Sequence, residues 1–192
     1  MATSRTAKPI VITDYDPVWP QRFERERLEI LRVCGAKPFV RIEHMGSTAV
    51  PGLAAKAIID IMPGLRSLDD AAALIAPLAS LGYQYVPEYE RPSEIDEGMP
   101  LRRYFRKDVN GERAFHMHMV EAGSEIWVTQ LIFRDFLRIS PEDAAEYARV
   151  KRRVAGEYNL TVTPRSNSNL GYTDKKSDCI SAIMAKARAH FA

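Results

Sequence analysis

The chain has 192 residues, with 27 Lys and Arg against 25 Asp and Glu, a formal charge of +2, and 46% hydrophobic residues, a length at which one domain, or one domain with a small appendage, buries about 70% of its unfolded surface without a disulfide or structural metal. The balanced charge argues against nucleic acid as the main partner, because phosphate neutralisation requires a strongly basic face. No run reaches the ~18 apolar residues of a membrane span and the start MATSRTAKPIVIT lacks a signal-peptide core, so a cytoplasmic protein without membrane partners is expected, with Cys34 and Cys179 as separate core thiols.

Residues 9–13 (PIVIT) predict a short strand, and Asp16-Pro17 then opens a helix that runs to Cys34 and stops at Gly35. Its Phe23, Ile30, Leu31 and Cys34 share one face. Residues 39–45 (FVRIEHM) predict a strand with Arg41 and Glu43 on one side and Ile42 and His44 on the other. A turn of small residues, 46–56 (GSTAVPGLAAK), leads into the apolar run 57–62, AIIDIM. Asp60 sits inside that run, where an unpartnered carboxylate is costly, so it demands a functional or pairing explanation.

Ser67 with Asp70 starts a helix over 71–81 that ends at Gly82, and 83–86 resumes as strand. The acidic, proline-bearing stretch 88–100 reads as a long surface loop. Strands over 101–108 and 113–121 are joined at Asn110-Gly111, the strongest short hairpin signal, and the second places His116 and His118 together, opposite Phe115, Met117 and Met119. Helices follow from Ser124 to Ile139, from Ser140-Pro141 to about Glu157, and from Thr173 or Asp174 to Phe191, with a Ser- and Asn-rich loop over 159–171. The expected organisation is an α/β part over 1–122, with a mixed β-sheet, and a helical segment over 123–192 packed on it as one compact unit.

Chemistry concentrates in 41–62, RIEHMGSTAVPGLAAKAIIDIM. Gly46 permits close approach of the backbone to a ligand, and the Ser47 hydroxyl with the amides after it offers donors to phosphate oxygens. Asp60 on the neighbouring strand is placed to hold a divalent metal. His116 and His118, with one carboxylate, make a donor set suited to Zn²⁺, Mn²⁺ or Fe²⁺, or form a solvated sheet face. Glu43 is read both as a further metal ligand and as a partner of Arg41. His44 reads as a structural, hydrogen-bonded residue that orients the Gly46 turn. Lys56 lies close enough in sequence to Asp60 to reach a phosphate. Arg103 on the hairpin, with Arg102 and Arg106, and Arg134 with Arg138 on one helical face, supply further cationic candidates.

Residues 41–60 closely resemble the signature of the GrpB family, also called UPF0157, within the nucleotidyltransferase superfamily. The similarity extends to Tyr15-Asp16-Pro17 with Trp19, His116-Met117-His118, Trp127, the run 133–138 (FRDFLR), Tyr147-Ala148 with Lys151, and Tyr172 with Lys175. It implies a nucleotidyltransferase-like mixed sheet carrying Gly46-Ser47 and Asp60, with a helical carboxy-terminal segment over the site. The function so implied is transfer of a nucleotidyl group from a nucleoside triphosphate, with Mg²⁺ or Mn²⁺, or alternatively Zn²⁺, to a small-molecule acceptor. Asp60 and His118 are then the catalytic candidates, and Gly46, Ser47, Lys56, Arg103, Arg134 and Lys175 the phosphate-binding ones. Glu43, His116 and His118 join Asp60 as metal candidates. Lys175 is kept for its match to the family, while Lys151 and Lys176 read as solvated. The sequence departs from the superfamily pattern at Met62, where a second acid is expected two residues after Asp60. The alternative reading is therefore a catalytically degenerate module that binds a nucleotide or phosphorylated metabolite.

Overall fold

The structure is a computed structural model and describes residues 9–90, 102–161, 172 and 175–192. Its elements are α1 (Trp19–Cys34), β1 (Phe39–Met45), β2 (Ile59–Leu65), α2 (Ala71–Ser80), β3 (Tyr83–Tyr85), β4 (Arg103–Val109), β5 (Glu112–Glu121), α3 (Glu125–Ile139), α4 (Pro141–Thr161) and α5 (Ser177–Phe191). The strands form one mixed five-stranded sheet in the order β1-β2-β5-β4-β3, in which only the central β2–β5 pair is parallel. The expected mixed α/β architecture followed by helices is found. Thr173 and Asp174, and the centres of the loops expected over 88–100 and 159–171, lie outside the described residues.

One sheet face carries Ile59, Ile61, Phe105, Phe115, Met117 and Met119 and packs on α1 and α2 through Ile30, Leu74 and Leu78. Alternation of side chains along each strand sends Asp60, Met62, His116, His118 and Val120 to the other face. Part of that second face is closed by α3, whose Ile126 and Trp127 cover Met45, Met62 and Val120. The segment 50–54 then bridges to the carboxy-terminal helices, with Val50, Leu53 and Ala54 packed against Phe136, Leu137, Tyr147 and Ile183.

Several boundaries differ from the sequence expectation for identifiable reasons. Residues 9–13 form no strand beyond an isolated bridge from Thr13 to Ala55. The Asn159 side chain instead binds the Ile10 backbone, accepting from its N–H at 2.7 Å and donating to its C=O at 2.9 Å. Strand β2 runs on through Pro63-Gly64, because its ladder to β5 skips Met62 and Pro63 and so requires no N–H from the proline. Gly64 is flat against the Trp127 ring, which a Cβ would meet at 2.6 Å. The hairpin turns as expected, with Asn110 at φ 52° and Gly111 at φ 78°. Among the described residues no helix is long and apolar enough to cross a membrane.

Candidate functional site

The register of the sheet builds the site. Met45 opposes Asp60 across β1 and β2, so the turn that follows β1 folds back beside the Asp60 carboxylate. Gly46 adopts φ 72° there, and a Cβ on it would collide with Asp60 Oδ2, so both the backbone angle and the approach exclude other residues. Ser47–Ala49 form a single 3₁₀ turn. Asp60 is level with His116 in the parallel β2–β5 pair, and His118 follows on the same face. Asp60 Oδ1 lies 3.3 Å from His116 Nδ1 and 4.0 Å from His118 Nε2. One side-chain donor atom from each of the three residues falls within a 4.8 Å cluster, a set able to hold a divalent cation.

The opposite wall comes from the carboxy-terminal helices. Tyr147 and Lys151, four apart and hence on one face of α4, both bond Ser47, with Lys151 Nζ donating to Ser47 Oγ at 2.9 Å and also to the Ala54 carbonyl. Lys176 and Lys56 approach the Tyr172 ring at 4.2 and 5.1 Å. Together these residues enclose a cavity of about 340 Å³ whose lining includes Gly46, Ser47, Asp60, Lys56, Lys151 and Lys176.

Three lysine side chains face one carboxylate in this cavity. Burial, reinforced by Lys176, Arg152 and Lys56, pushes Lys151 down to about 7, and burial with Lys56 nearby pushes Lys176 down to about 8, against the pull of Asp60. Lys56 is lowered by burial as well, against the same pull. Burial raises Asp60, but the His116 hydrogen bond, with His116 and Lys56 beside it, outweighs that, and the carboxyl sits below its ordinary value. Burial takes His118 down to about 3, so its imidazole is neutral. Such a cavity is complementary to a polyanion, which would restore the lysines' charge as it bound.

The candidates read from sequence divide into two groups. Gly46, Ser47, Lys56, Asp60, His116 and His118 line the cavity together. Glu43, Arg103, Arg134 and Lys175 do not. Glu43 is held between Arg134 at 2.8 Å and Arg41 at 2.6 Å, buried beneath α3. Arg134 also donates to the His44 carbonyl and to Asp135, and Arg138 donates twice to the Ala49 carbonyl. These arginines brace the Gly46 turn from behind. Arg103 pairs with Glu90 on the far side of β4, and Lys175 pairs with Glu157 at the surface. His44 takes the structural place expected of it, stacked on Phe23 and 3.0 Å from the Thr48 hydroxyl, with burial holding its pKa at about 4.

Lys151 and Lys176 are the cavity residues that sequence reasoning assigned to solvent. The usable signal for Lys151 is its position on α4: Tyr147, Ala148, Val150, Lys151, Val154 and Ala155 are all buried, so the lysine belongs to the packed face. A lysine on such a face needs partners, and Ser47 and Ala54 supply them.

Met62 also acquires an explanation. It is fully buried against Trp127 and Val120, so the position expected to carry a second acid is roofed by α3. Met62→Asp should therefore lower unfolding stability by several kcal/mol, about the cost of an unpaired buried carboxylate that stays partly protonated. Urea unfolding checks this, and an unchanged midpoint would contradict the packing.

A family model described as GrpB protein matches residues 9–186. A UPF0157 protein of Pseudomonas aeruginosa is 37% identical, over 94% of this chain and 68% of the relative. A UPF0157 protein of Streptomyces coelicolor is 36% identical, over 95% of this chain and 87% of the relative. Among solved structures, the conserved protein GrpB from Enterococcus faecalis superposes with a TM-score of 0.77 at 28% identity, covering 94% of this chain and 99% of that one.

Proposed function

From the premise that this chain belongs to the GrpB family, we propose that it binds a nucleoside triphosphate with a divalent metal and transfers a nucleotidyl group to a small-molecule acceptor. The observation that carries this reading is the convergence of Lys56, Lys151 and Lys176 with Asp60 and two histidines on one cavity beside Gly46-Ser47. Three cations and one metal-binding carboxylate match the alternation of negative oxygens and cation in a metal-bound triphosphate. Ser47 and the lysines bind phosphate oxygens, while Gly46 lets the turn approach them without a side chain in the way. Asp60 holds the metal, with the imidazoles beside it. A divalent ion bound there, Mg²⁺ or Mn²⁺, or Zn²⁺ given the imidazoles, supplies neutralisation of charge at the reacting phosphate.

The direct test is release of pyrophosphate from a panel of nucleoside triphosphates with Mg²⁺ or Mn²⁺ and a panel of hydroxyl-bearing metabolites. Metal-dependent release supports transfer, and no release from any triphosphate with any acceptor contradicts it. The burial of Met62 favours a second reading, a binding module without turnover, since it leaves Asp60 as the only carboxylate lining the described cavity. That reading prevails if Asp60→Asn keeps full affinity while no turnover occurs.

The lysines also set a pH dependence. Triphosphate binding draws on protonated Lys151, whose pKa of about 7 in the unliganded protein rises when phosphate oxygens surround it. Affinity should be greatest below about pH 7 and fall by up to about tenfold per unit above it. Lys151→Met should weaken binding at pH 6 and flatten that slope. The unliganded protein responds with the opposite sign, because a lysine depressed on folding costs stability at low pH and is relieved as pH rises from about 7 towards its ordinary 10.5. Calorimetric titrations at several pH values check the first trend.

A further inference from the structure

The three residues able to hold a metal are not equivalent, and Arg102 makes the difference. Its Nη1 lies 3.2 Å from His118 Nδ1, and its guanidinium sits over the Tyr104 ring at 5.6 Å. Tyr104 in turn meets the His118 ring edge-on at 5.1 Å, and Tyr104 and His118 are level across β4 and β5. The imidazole is therefore held in orientation from two sides. A guanidinium is only ever a donor, so the nitrogen it contacts must present a lone pair. In a neutral imidazole the single proton then sits on the other nitrogen, Nε2, which is the atom directed at Asp60.

That arrangement is the reverse of the usual support for a metal-bound histidine. A ligating imidazole donates its second N–H to a carboxylate or carbonyl, which leaves the ligating nitrogen bare. Here the supporting group donates, so Nε2 carries a proton and has no lone pair for a cation.

We propose that Arg102 is a positioning residue that fixes His118 as the Nε2–H tautomer, making His118 a hydrogen-bond donor into the cavity and excluding it as a metal ligand. The inference rests on the reading of the cavity as a metal–triphosphate site and divides the labour within it. Asp60 is left to the metal, joined by His116 once the cation displaces the proton that its Nδ1 donates to the Asp60 carboxylate. His118 Nε2–H faces the Asp60 carboxylate at 4.0 Å in the unliganded cavity and donates to a phosphate oxygen in the filled one, where an oxyanion accepts a strong charge-assisted bond. Residue 102 then sets the balance between phosphate recognition and transition-metal affinity.

Two measurements on the full chain test this. Nitrogen-15 NMR of the histidine-labelled protein without ligand, with the His118 signals identified by their loss in His118→Gln, should show Nδ1 unprotonated and Nε2 protonated. The opposite tautomer would overturn the proposal. The second is Zn²⁺ titration without nucleotide of the wild type, Arg102→Gln and Arg102→Met. Both variants remove the positive charge, but only the glutamine carbonyl can accept an Nδ1–H and free Nε2 to ligate. Arg102→Gln should bind Zn²⁺ about tenfold or more tighter than Arg102→Met, the scale of a supporting contact to a ligating histidine. Equal affinities in the two variants would also overturn it. Because neither measurement involves a nucleotide, failure of the transferase reading would leave both results interpretable.

Discussion

Asp60→Asn should fold as the wild type does and bind a Mn²⁺–nucleoside triphosphate at least about 100-fold more weakly, because it keeps the shape of the carboxylate and loses the charge on which the metal depends. The shape matters, since Asp60 is packed directly against Gly46 and a smaller or larger residue would disturb the turn. The charge matters because the described cavity lining offers no other carboxylate. The effect should reverse sign when the metal is removed. Without the carboxylate, Lys56, Lys151 and Lys176 are opposed by nothing in the cavity, so free triphosphate in a chelating buffer should bind Asp60→Asn more tightly than wild type. A loss of affinity in both buffers would point instead to a damaged fold, which circular dichroism and the urea midpoint would reveal.

The largest effect on stability is expected at Arg134. Its side chain is 9% exposed and reaches a Glu43 side chain that is 10% exposed, while also donating to the His44 carbonyl. Arg134→Met removes one partner of a buried pair and leaves Glu43 with only the more exposed Arg41, at a cost of about 3–5 kcal/mol. Combining it with Glu43→Met removes both charges, and the double variant should be less destabilised than the sum of the two single ones, since no unpaired buried charge remains. Urea denaturation of the four proteins completes the cycle. A single-variant loss below about 1 kcal/mol would show that the pair behaves as a solvated one. Arg134 also anchors the end of β1 next to Gly46, so the single variant should loosen the Gly46 turn and weaken the nucleotide binding proposed for it.

Most of the sheet was legible because its signals are local. Strand β1 occupies the expected residues, the Asn110-Gly111 turn takes the positive backbone angles its residues favour, and the alternation of β5 places both histidines opposite the methionines. Where a strand's length is set by its neighbours, the local sequence does not show it. Pro63-Gly64 looks like a stop, but β5 skips the proline and Trp127 requires the glycine, facts held by residues more than 50 positions away.

The site shows the same division. Gly46, Ser47 and Asp60 announce themselves because a turn glycine and a strand acid are unusual in their local setting. Arginines give no such signal. Arg134 and Lys175 looked like cations available to a phosphate, and the fold commits one to Glu43 and the other to Glu157. Lys151 looked like part of a charged helix surface, although its neighbours on α4 mark it as buried. Met62 read as a missing acid, whereas its surroundings show an apolar position covered by Trp127.

The cavity between Ser47, Asp60 and Lys151 is proposed to take a metal-bound triphosphate. The most direct measurement is isothermal titration of the wild type and Asp60→Asn with a panel of nucleoside triphosphates and Mn²⁺ at about pH 6.5, where Lys151 with its pKa of about 7 is mostly protonated. Saturable, metal-dependent binding to the wild type that is lost in Asp60→Asn is the predicted result. No binding of any triphosphate by the wild type, or binding undiminished in Asp60→Asn, would contradict it.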